Sequence, residues 1–354
     1  MKTHGGDIYT AARELGIRPE ECLDFSANLN PLGIPAPVKQ TMAESLDQAV
    51  YYPDPDSASL IRALSRRYGI REEAILAGNG AADLIFRLVY ALKPSKALIT
   101  APTFLEYKEA LLQAGSQVEV YSLDAGFELQ EDILDRMDKD VKLMFLCNPN
   151  NPTGLLTGRE LLLKIAKKAE ENGIVLAVDE CFLDFTGEED GCTMTPWLGE
   201  FKNLLVLKSF TKMFAVPGIR LGYLLCENEE LVQRIKAAGQ SWSVNCVAEA
   251  AGLAALTQQE FIKKTASYIK EEREYLTACL EALNLRVIPG KANYLLIQAE
   301  KCPGLYHKLM ERQILIRRCS NYDGLDETYY RIAVRTHEEN EKLIGALRQV
   351  MKGE

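Results

Sequence analysis

The chain has 354 residues, 47% hydrophobic and 26% charged, a length and balance that suit a globular protein with one large unit and a smaller one. A formal net charge of −9 repels a long polyanion and argues against nucleic acid as a partner, while a local arginine pocket can still hold a small anion. Nine cysteines without a C-x-x-C pair read as reduced thiols, three histidines argue against a metal site, and no apolar leader or run of 18 apolar residues occurs, so we expect a soluble, cytoplasmic protein away from the membrane.

From residue 57 onward the apolar pattern alternates. "SASLIRALSRRYG" has helical spacing, "EAILAG" reads as a short strand, and "AADLIFRLVYAL" as a helix. Strand and helix then follow in turn: "KALITAP", "FLEYKEALLQAG", "QVEVYSL", "LQEDILDRM", "VKLMFLCNP", "GRELLLKIAKKAEENG" and "IVLAVDE". "NLLVLKSF" and "IRLGYLL" read as adjacent strands. Short continuous apolar runs between helices signal strands buried on both faces, so the expected class is α/β with a mostly parallel central sheet covered by helices. After Cys226 come the helices "EELVQRIKAA" and "SVNCVAEAAGLAALT", then the long "QEFIKKTASYIKEEREYLTACLEAL". Strands "LRVIPG", "NYLLIQAE", "ILIRRCS" and "YYRIAVRT" interleave with "LYHKLMERQ" and a final helix, which predicts a smaller α+β domain. The expected division is an N-terminal segment over 1–45 that packs with the small domain and covers the site, a large domain over 46–255 and a small one over 256–354.

Four segments fall at strand ends, where open α/β sheets bind ligands: "GNGAADL", "NPNNPTG", "VDECFLDF" and "KSFTK". A glycine turn opening a helix offers N–H groups and a positive helix end to a phosphate. Asp179 directly ends an apolar strand and can keep a ring nitrogen protonated; Glu180 and Asp184 are nearby alternatives. The two Asn-Pro steps can hold Asn151 rigidly enough to donate to a ligand oxygen. Lys212 lies among Phe210, Met213 and Phe214, where an amine of lowered pKa is nucleophilic toward an aldehyde. Arg220 supplies a phosphate fork and Ser209 a hydroxyl. Together these meet the demands of pyridoxal 5′-phosphate: an aldehyde partner, a pyridine-nitrogen partner and a phosphate cup.

The set "NPNNPTG", "DECF", "SFTK" and "PGIRLGY" resembles the fold-type-I, aminotransferase class I/II family of pyridoxal-phosphate enzymes over nearly the whole chain. The resemblance implies Lys212 as the residue joined to the cofactor, Asp179 on the pyridinium nitrogen and Asn151 on the ring oxygen. It implies Gly80 and Ala81 N–H groups, Ser209 and Arg220 on the phosphate, and Phe104 stacked on the ring. It also implies a homodimer with sites at the subunit interface, where Tyr52 of "YYPDPD" reaches the partner's cofactor phosphate. Phe182 departs from the tyrosine that many family transaminases carry there, and so removes a donor to the ring oxygen.

The segments "HGGDIYTAARELG", "LDFSANLNPLG", "WSVN", "KANYLL" and "ILIRRCSNYDGLDETYYRIAVR" are similar to the branch of that family that decarboxylates threonine O-3-phosphate in cobalamin biosynthesis. This resemblance implies Arg331 on the substrate carboxylate, with Arg317, His4 and Asn28 around a phosphate. Arg318 and Arg335 compete for those roles, and strand alternation sends Arg317 and Arg318 to opposite faces. The alternatives are a histidinol-phosphate aminotransferase or related phosphate-ester transaminase, serine phosphate as substrate, and a non-catalytic member of the fold that binds a partner.

Overall fold

A computed structural model describes residues 5–352. Its central sheet has seven strands in the spatial order Ile75–Gly78, Gly222–Leu225, Leu204–Ser209, Val175–Asp179, Leu143–Cys147, Lys96–Ala101 and Gln117–Ser122. Gly222–Leu225 runs antiparallel to both neighbours, and every other pairing in this sheet is parallel. Strand alternation divides the side chains between two apolar layers. Ala177, Leu205, Leu207 and Phe145 meet Leu84, Ile85, Leu88 and Leu111 from the helices Ala81–Leu92 and Leu105–Gln113. Leu176, Val178, Leu204 and Val206 share the other layer with Leu60, Leu64, Leu162 and Ile165 from the helices Ala58–Tyr68 and Arg159–Asn172. Both faces are therefore dry, which is why these strands read as unbroken apolar runs.

Local sequence explains the helix ends. Gly173 takes a left-handed conformation after Asn172, and its N–H returns to the carbonyls of Ala169 and Glu170. The 24-residue helix Gln259–Ala282 is about 36 Å long at 1.5 Å per residue. It buries Thr265, Ile269, Glu272, Leu276 and Leu280 at helical spacing.

A second sheet, antiparallel throughout, has the order Arg317–Arg318, Tyr329–Ala333, Tyr294–Gln298 and Arg286–Val287. Leu23–Asp24 pairs in parallel with Ile314–Leu315, and Ala333 N donates to Phe25 O at 2.8 Å. The segment after the helix Ile8–Leu15 is thus bound to the C-terminal sheet region.

Two expected elements differ. "LQEDILDRM" forms a 3-10 helix, Glu131–Arg136, in place of an α-helix. Asp138 Oδ1 accepts from Asp140 N (2.9 Å) and Val141 N (3.2 Å), which turns the chain before a longer helix can propagate. "ILIRRCS" is split at Ile316, because its two halves pair with different sheets.

Candidate active site

The cluster forms at the carboxyl ends of the parallel strands. Gly80 opens the helix Ala81–Leu92 with φ +83°. A Cβ there would lie 2.7 Å from Arg220 Nη2, and one at Gly222 would lie 2.5 Å from Ala81 N. Only glycine allows the Arg220 guanidinium and the Ala81 amide so close to this turn. Ser209 pairs in register with Gly222 and caps the turn Phe210–Met213, its Oγ accepting from Thr211 N at 3.2 Å. Gly80, Ala81, Ser209 and Arg220 therefore meet at one corner, at the positive end of a twelve-residue helix. The one acid of that helix's first turn, Asp83, is held by Arg87 Nε at 2.9 Å, so its charge is offset locally.

Lys212 sits in the capped turn between buried Phe210, Met213 and Phe214. Burial holds its amine below the usual lysine range; Arg220 and Arg331 push the same way, against the Cys181 thiol and the Asp179 carboxylate. The turn is tied to the N-terminal region by Asn30. Its N donates to Lys212 O at 3.1 Å, and its Nδ2 donates to Met213 O at 2.7 Å and Thr265 Oγ1 at 2.8 Å.

Asp179 ends its strand at 5% exposure. The Tyr107 hydroxyl donates to its Oδ2 at 2.6 Å and Cys181 N to its Oδ1 at 3.0 Å. Burial first, and the Asp179 charge next, keep the Tyr107 phenol neutral well beyond its ordinary range. Tyr107 stacks on Phe145 with centroids 4.7 Å apart and meets Phe104 edge-on at 5.5 Å. Glu180 turns to the opposite sheet face. It accepts from Thr193 Oγ1 (2.8 Å) and Met194 N (2.7 Å) and lies 3.2 Å from Lys208 Nζ; Asp184 lies 3.8 Å from the same amine. Of the three acids, Asp179 is the one beside Lys212.

Arg317 and Arg331 stand directly opposite each other on paired strands, at 3% and 6% exposure. Arg331 Nη1 donates to Asn151 Oδ1, and its Nη2 donates to Ser26 O at 3.0 Å. With the Asn28 amide turned so that its oxygen faces the guanidinium, Asn28 accepts from Arg331 Nε (3.2 Å) and Nη1 (3.3 Å). Arg317 Nη2 donates to Asn321 Oδ1 at 2.9 Å and its guanidinium lies over the Tyr322 ring. Arg318 points outward over Tyr306, and Arg335 is engaged with Asp24 O (3.0 Å) and Glu339 Oε1 (2.7 Å). Neither competitor shares the Arg317–Arg331 face. Asn151 lies in a loop whose Asn148–Pro149 and Asn151–Pro152 bonds are cis, and Asn150 Nδ2 fastens it to Pro102 O at 2.9 Å.

His4 lies outside the described residues. Tyr52 is 80% exposed, 4.8 Å from the Trp242 ring and apart from this cluster. Phe182 packs edge-on against Tyr294, without a polar group to offer. Sequence reasoning also missed Tyr107, Ser26, Asn30 and Tyr322. Tyr107 carried a signal, one helical turn after Phe104, and Tyr322 lies five residues from Arg317; Ser26 and Asn30 act through pairings distant in sequence.

The chain matches the family described as aminotransferase class I and II over residues 20–347. It is 43% identical to a threonine-phosphate decarboxylase of Salmonella typhimurium, over 99% of this chain and 97% of that one. It is 32% identical to the adenosylcobalamin biosynthesis bifunctional protein CobDQ of Leptospira interrogans, over 100% of this chain and 41% of that longer protein. The crystal structure of the histidinol-phosphate aminotransferase from Clostridium acetobutylicum is similar with a TM-score of 0.88 at 32% identity, covering 94% of this chain and 100% of that one. The matched span contains the capped lysine turn, the buried carboxylate, the glycine–arginine corner and the facing arginines, and this chain belongs to the aminotransferase class I and II family.

Proposed function

We propose that the protein decarboxylates L-threonine O-3-phosphate to (R)-1-amino-2-propanol O-2-phosphate and carbon dioxide, with pyridoxal 5′-phosphate as cofactor, in cytoplasmic cobalamin biosynthesis. The observation that carries this reading is the pair of buried guanidiniums, Arg317 and Arg331, opposed in register, with the Arg331 charge acting on Lys212. Asn321 and Tyr322 contact Arg317, and Asn151, Asn28 and Ser26 contact Arg331. Two guanidiniums on one face suit a ligand with two anionic ends, as a phosphorylated amino acid has.

The residues fit the cofactor. The corner at Gly80 and Gly222 is too tight for a Cβ and is lined by an amide, a hydroxyl and a guanidinium, the donors a phosphate needs. In this reading Gly80, Ala81, Ser209 and Arg220 would hold the phosphate, Phe104 would lie against the ring, Asn151 would donate to the ring oxygen and Asp179 would pair with the pyridine nitrogen. When bound, the cofactor supplies an aldehyde for an amine and a conjugated cationic ring that accepts an electron pair.

The chain supplies binding, orientation and proton handling. Burial leaves more of Lys212 neutral at a given pH, the form that would engage the aldehyde, and a proton taken from the incoming substrate ammonium is one that it could then give to the substrate Cα. The Tyr107 hydroxyl and Cys181 amide fix the Asp179 carboxylate. Arg331 would hold the substrate carboxylate and Arg317, with His4, the substrate phosphate; Asn28, expected with Arg317, accepts from Arg331 and would reach the phosphate only with its amide nitrogen. Fixing both ends selects which bond at Cα breaks. The absence of a hydroxyl at Phe182 weakens the transaminase reading, which the likeness to the Clostridium acetobutylicum aminotransferase favours. Retention of Lys212, Asp179, Asn151 and Arg220 argues against a non-catalytic role. We further place divisions at residues 45 and 255, and infer a homodimer in which Tyr52 serves the partner's site.

Incubation with threonine phosphate, without a keto-acid acceptor, tests the reading by mass spectrometry. The expected products are the amino-alcohol phosphate and carbon dioxide. Product formation only with an acceptor, and no carbon dioxide, would establish transamination in its place. Serine phosphate belongs in the same assay, because one methyl group discriminates by only about 1–3 kcal/mol.

A further inference from the structure

The strongest geometry outside the assigned site lies where the N-terminal Gly5–Gly6 turn meets Ser26. Ser26 is buried and firmly placed. Phe25 N donates to Leu315 O at 2.8 Å, Ala333 N donates to Phe25 O at 2.8 Å, and Asp24 Oδ1 accepts from both Ser26 N (2.7 Å) and Ser26 Oγ (2.6 Å). From this anchor Ser26 faces two ways. Its hydroxyl oxygen accepts from Gly6 N at 2.7 Å, and its carbonyl accepts from Arg331 Nη2 at 3.0 Å. Gly5 lies directly on that carbonyl. A Cβ at Gly5 would fall 2.1 Å from Ser26 O, 2.9 Å from Ser26 C and 3.1 Å from Arg331 Nη2.

We propose that Ser26 is a positioning residue that couples docking of the Gly5–Gly6 turn to the orientation of Arg331, so that the carboxylate end of the substrate site forms when this turn is in place. The physical reason is water. Gly5 covers the one carbonyl that holds Arg331 Nη2, and a hydrogen bond to a charged group is stronger where solvent cannot compete. A turn lifted away exposes that carbonyl and frees one arm of the guanidinium. Only glycine at position 5 permits the cover, because any side chain would occupy the space of the Ser26 carbonyl. Coupling of this kind is reciprocal: a ligand that fixes Arg331 also fixes the turn.

The inference rests on the reading of Arg331 as the carboxylate-binding group, and two ligands separate the claims. In cofactor-loaded Gly5→Ala and Ser26→Ala enzymes, KM for threonine phosphate is expected to rise about tenfold, the scale of one hydrogen bond to a charged group. The inhibition constant of 1-amino-2-propanol phosphate, which lacks the carboxylate, stays unchanged. Hydrogen–deuterium exchange gives a second readout. The Gly6 amide exchanges faster in Ser26→Ala and in Arg331→Lys, and slower when the carboxylate-bearing ligand is bound. Equal weakening of both ligands, or Gly6 exchange indifferent to Arg331→Lys, overturns the coupling. If Arg331→Lys leaves the preference between the two ligands intact, the functional reading of Arg331 fails, while the exchange result still decides whether turn and arginine are linked.

Discussion

The Tyr107 hydroxyl spends its proton on a buried carboxylate, Asp179, and that contact can be tested residue by residue. Removing a hydrogen bond to a charged acceptor costs about 1.5–3 kcal/mol. Tyr107→Phe is therefore expected to lower the free energy of unfolding by that amount, read as a lower urea midpoint at an unchanged slope, and an unaltered midpoint would remove the hydroxyl from the carboxylate's support. Lys212 makes a second test, in which sign matters. Its folded pKa is depressed, chiefly by burial, so in the lysine range the unfolded chain binds more protons than the folded one. Stability attributable to this group rises with pH through that window. The cofactor-free Lys212→Met protein should thus be more stable than the parent near neutrality, and the gap should shrink as pH rises toward the unfolded lysine value; denaturation at several pH values reads it. Lys212 could be singled out in the sequence because its neighbours Phe210, Met213 and Phe214 announce an apolar setting. Ser26 could not, because its importance comes from a carbonyl that any residue possesses and from Arg331, more than 300 positions away.

At the scale of elements, two adjacent parallel strands carry the chemistry on one face and its support on the other. Asp179 is in register with Leu207, so Asp179 and Ser209 fall on one side while Glu180 and Lys208 fall on the reverse. The Lys208–Glu180 pair, 3% and 0% exposed, ties the two strand ends together behind the site. Breaking a buried pair from one side leaves an uncompensated charge and costs about 3–5 kcal/mol. Lys208→Met should lose stability on that scale and activity with it, whereas Lys208→Met with Glu180→Gln should recover much of the stability. Thermal or urea unfolding of the single and double variants measures the difference; equal losses would mean that the pair contributes nothing beyond packing. The strands themselves were legible because burial on both faces makes apolar runs such as "LMFLC" unmistakable. The short strand Leu23–Asp24 was not, since two residues carry no period and their partner lies near residue 314. The break at Ile316 was hidden for the same reason: "ILIRRCS" alternates like one strand, and only the two destinations of its halves divide it.

Across the whole molecule, exposed apolar side chains gather most densely around residues 46–52 among the described residues. Leu46, Val50, Tyr51 and Tyr52 are exposed close together in sequence, and Trp242 adds its ring against Tyr52. Scattered exposed apolar residues are normal, but a contiguous aromatic and aliphatic patch marks an interaction surface. An isologous dimer would bury such a patch on both copies at once and allow Tyr52 to act in the neighbouring site. The reading has a consequence that no single-chain arrangement shares. Lys212→Ala and Tyr52→Ala each impair both sites of a homodimer, but in a hybrid one site receives both defects and the other neither. Co-refolding equal amounts of the two variants with cofactor should restore about a quarter of the wild-type activity per chain, because half of randomly formed dimers are hybrids with one intact site of two. Activity that stays at the sum of the two parents, although hybrids are present by mass spectrometry, would confine Tyr52 to its own chain and leave the patch without a role in catalysis.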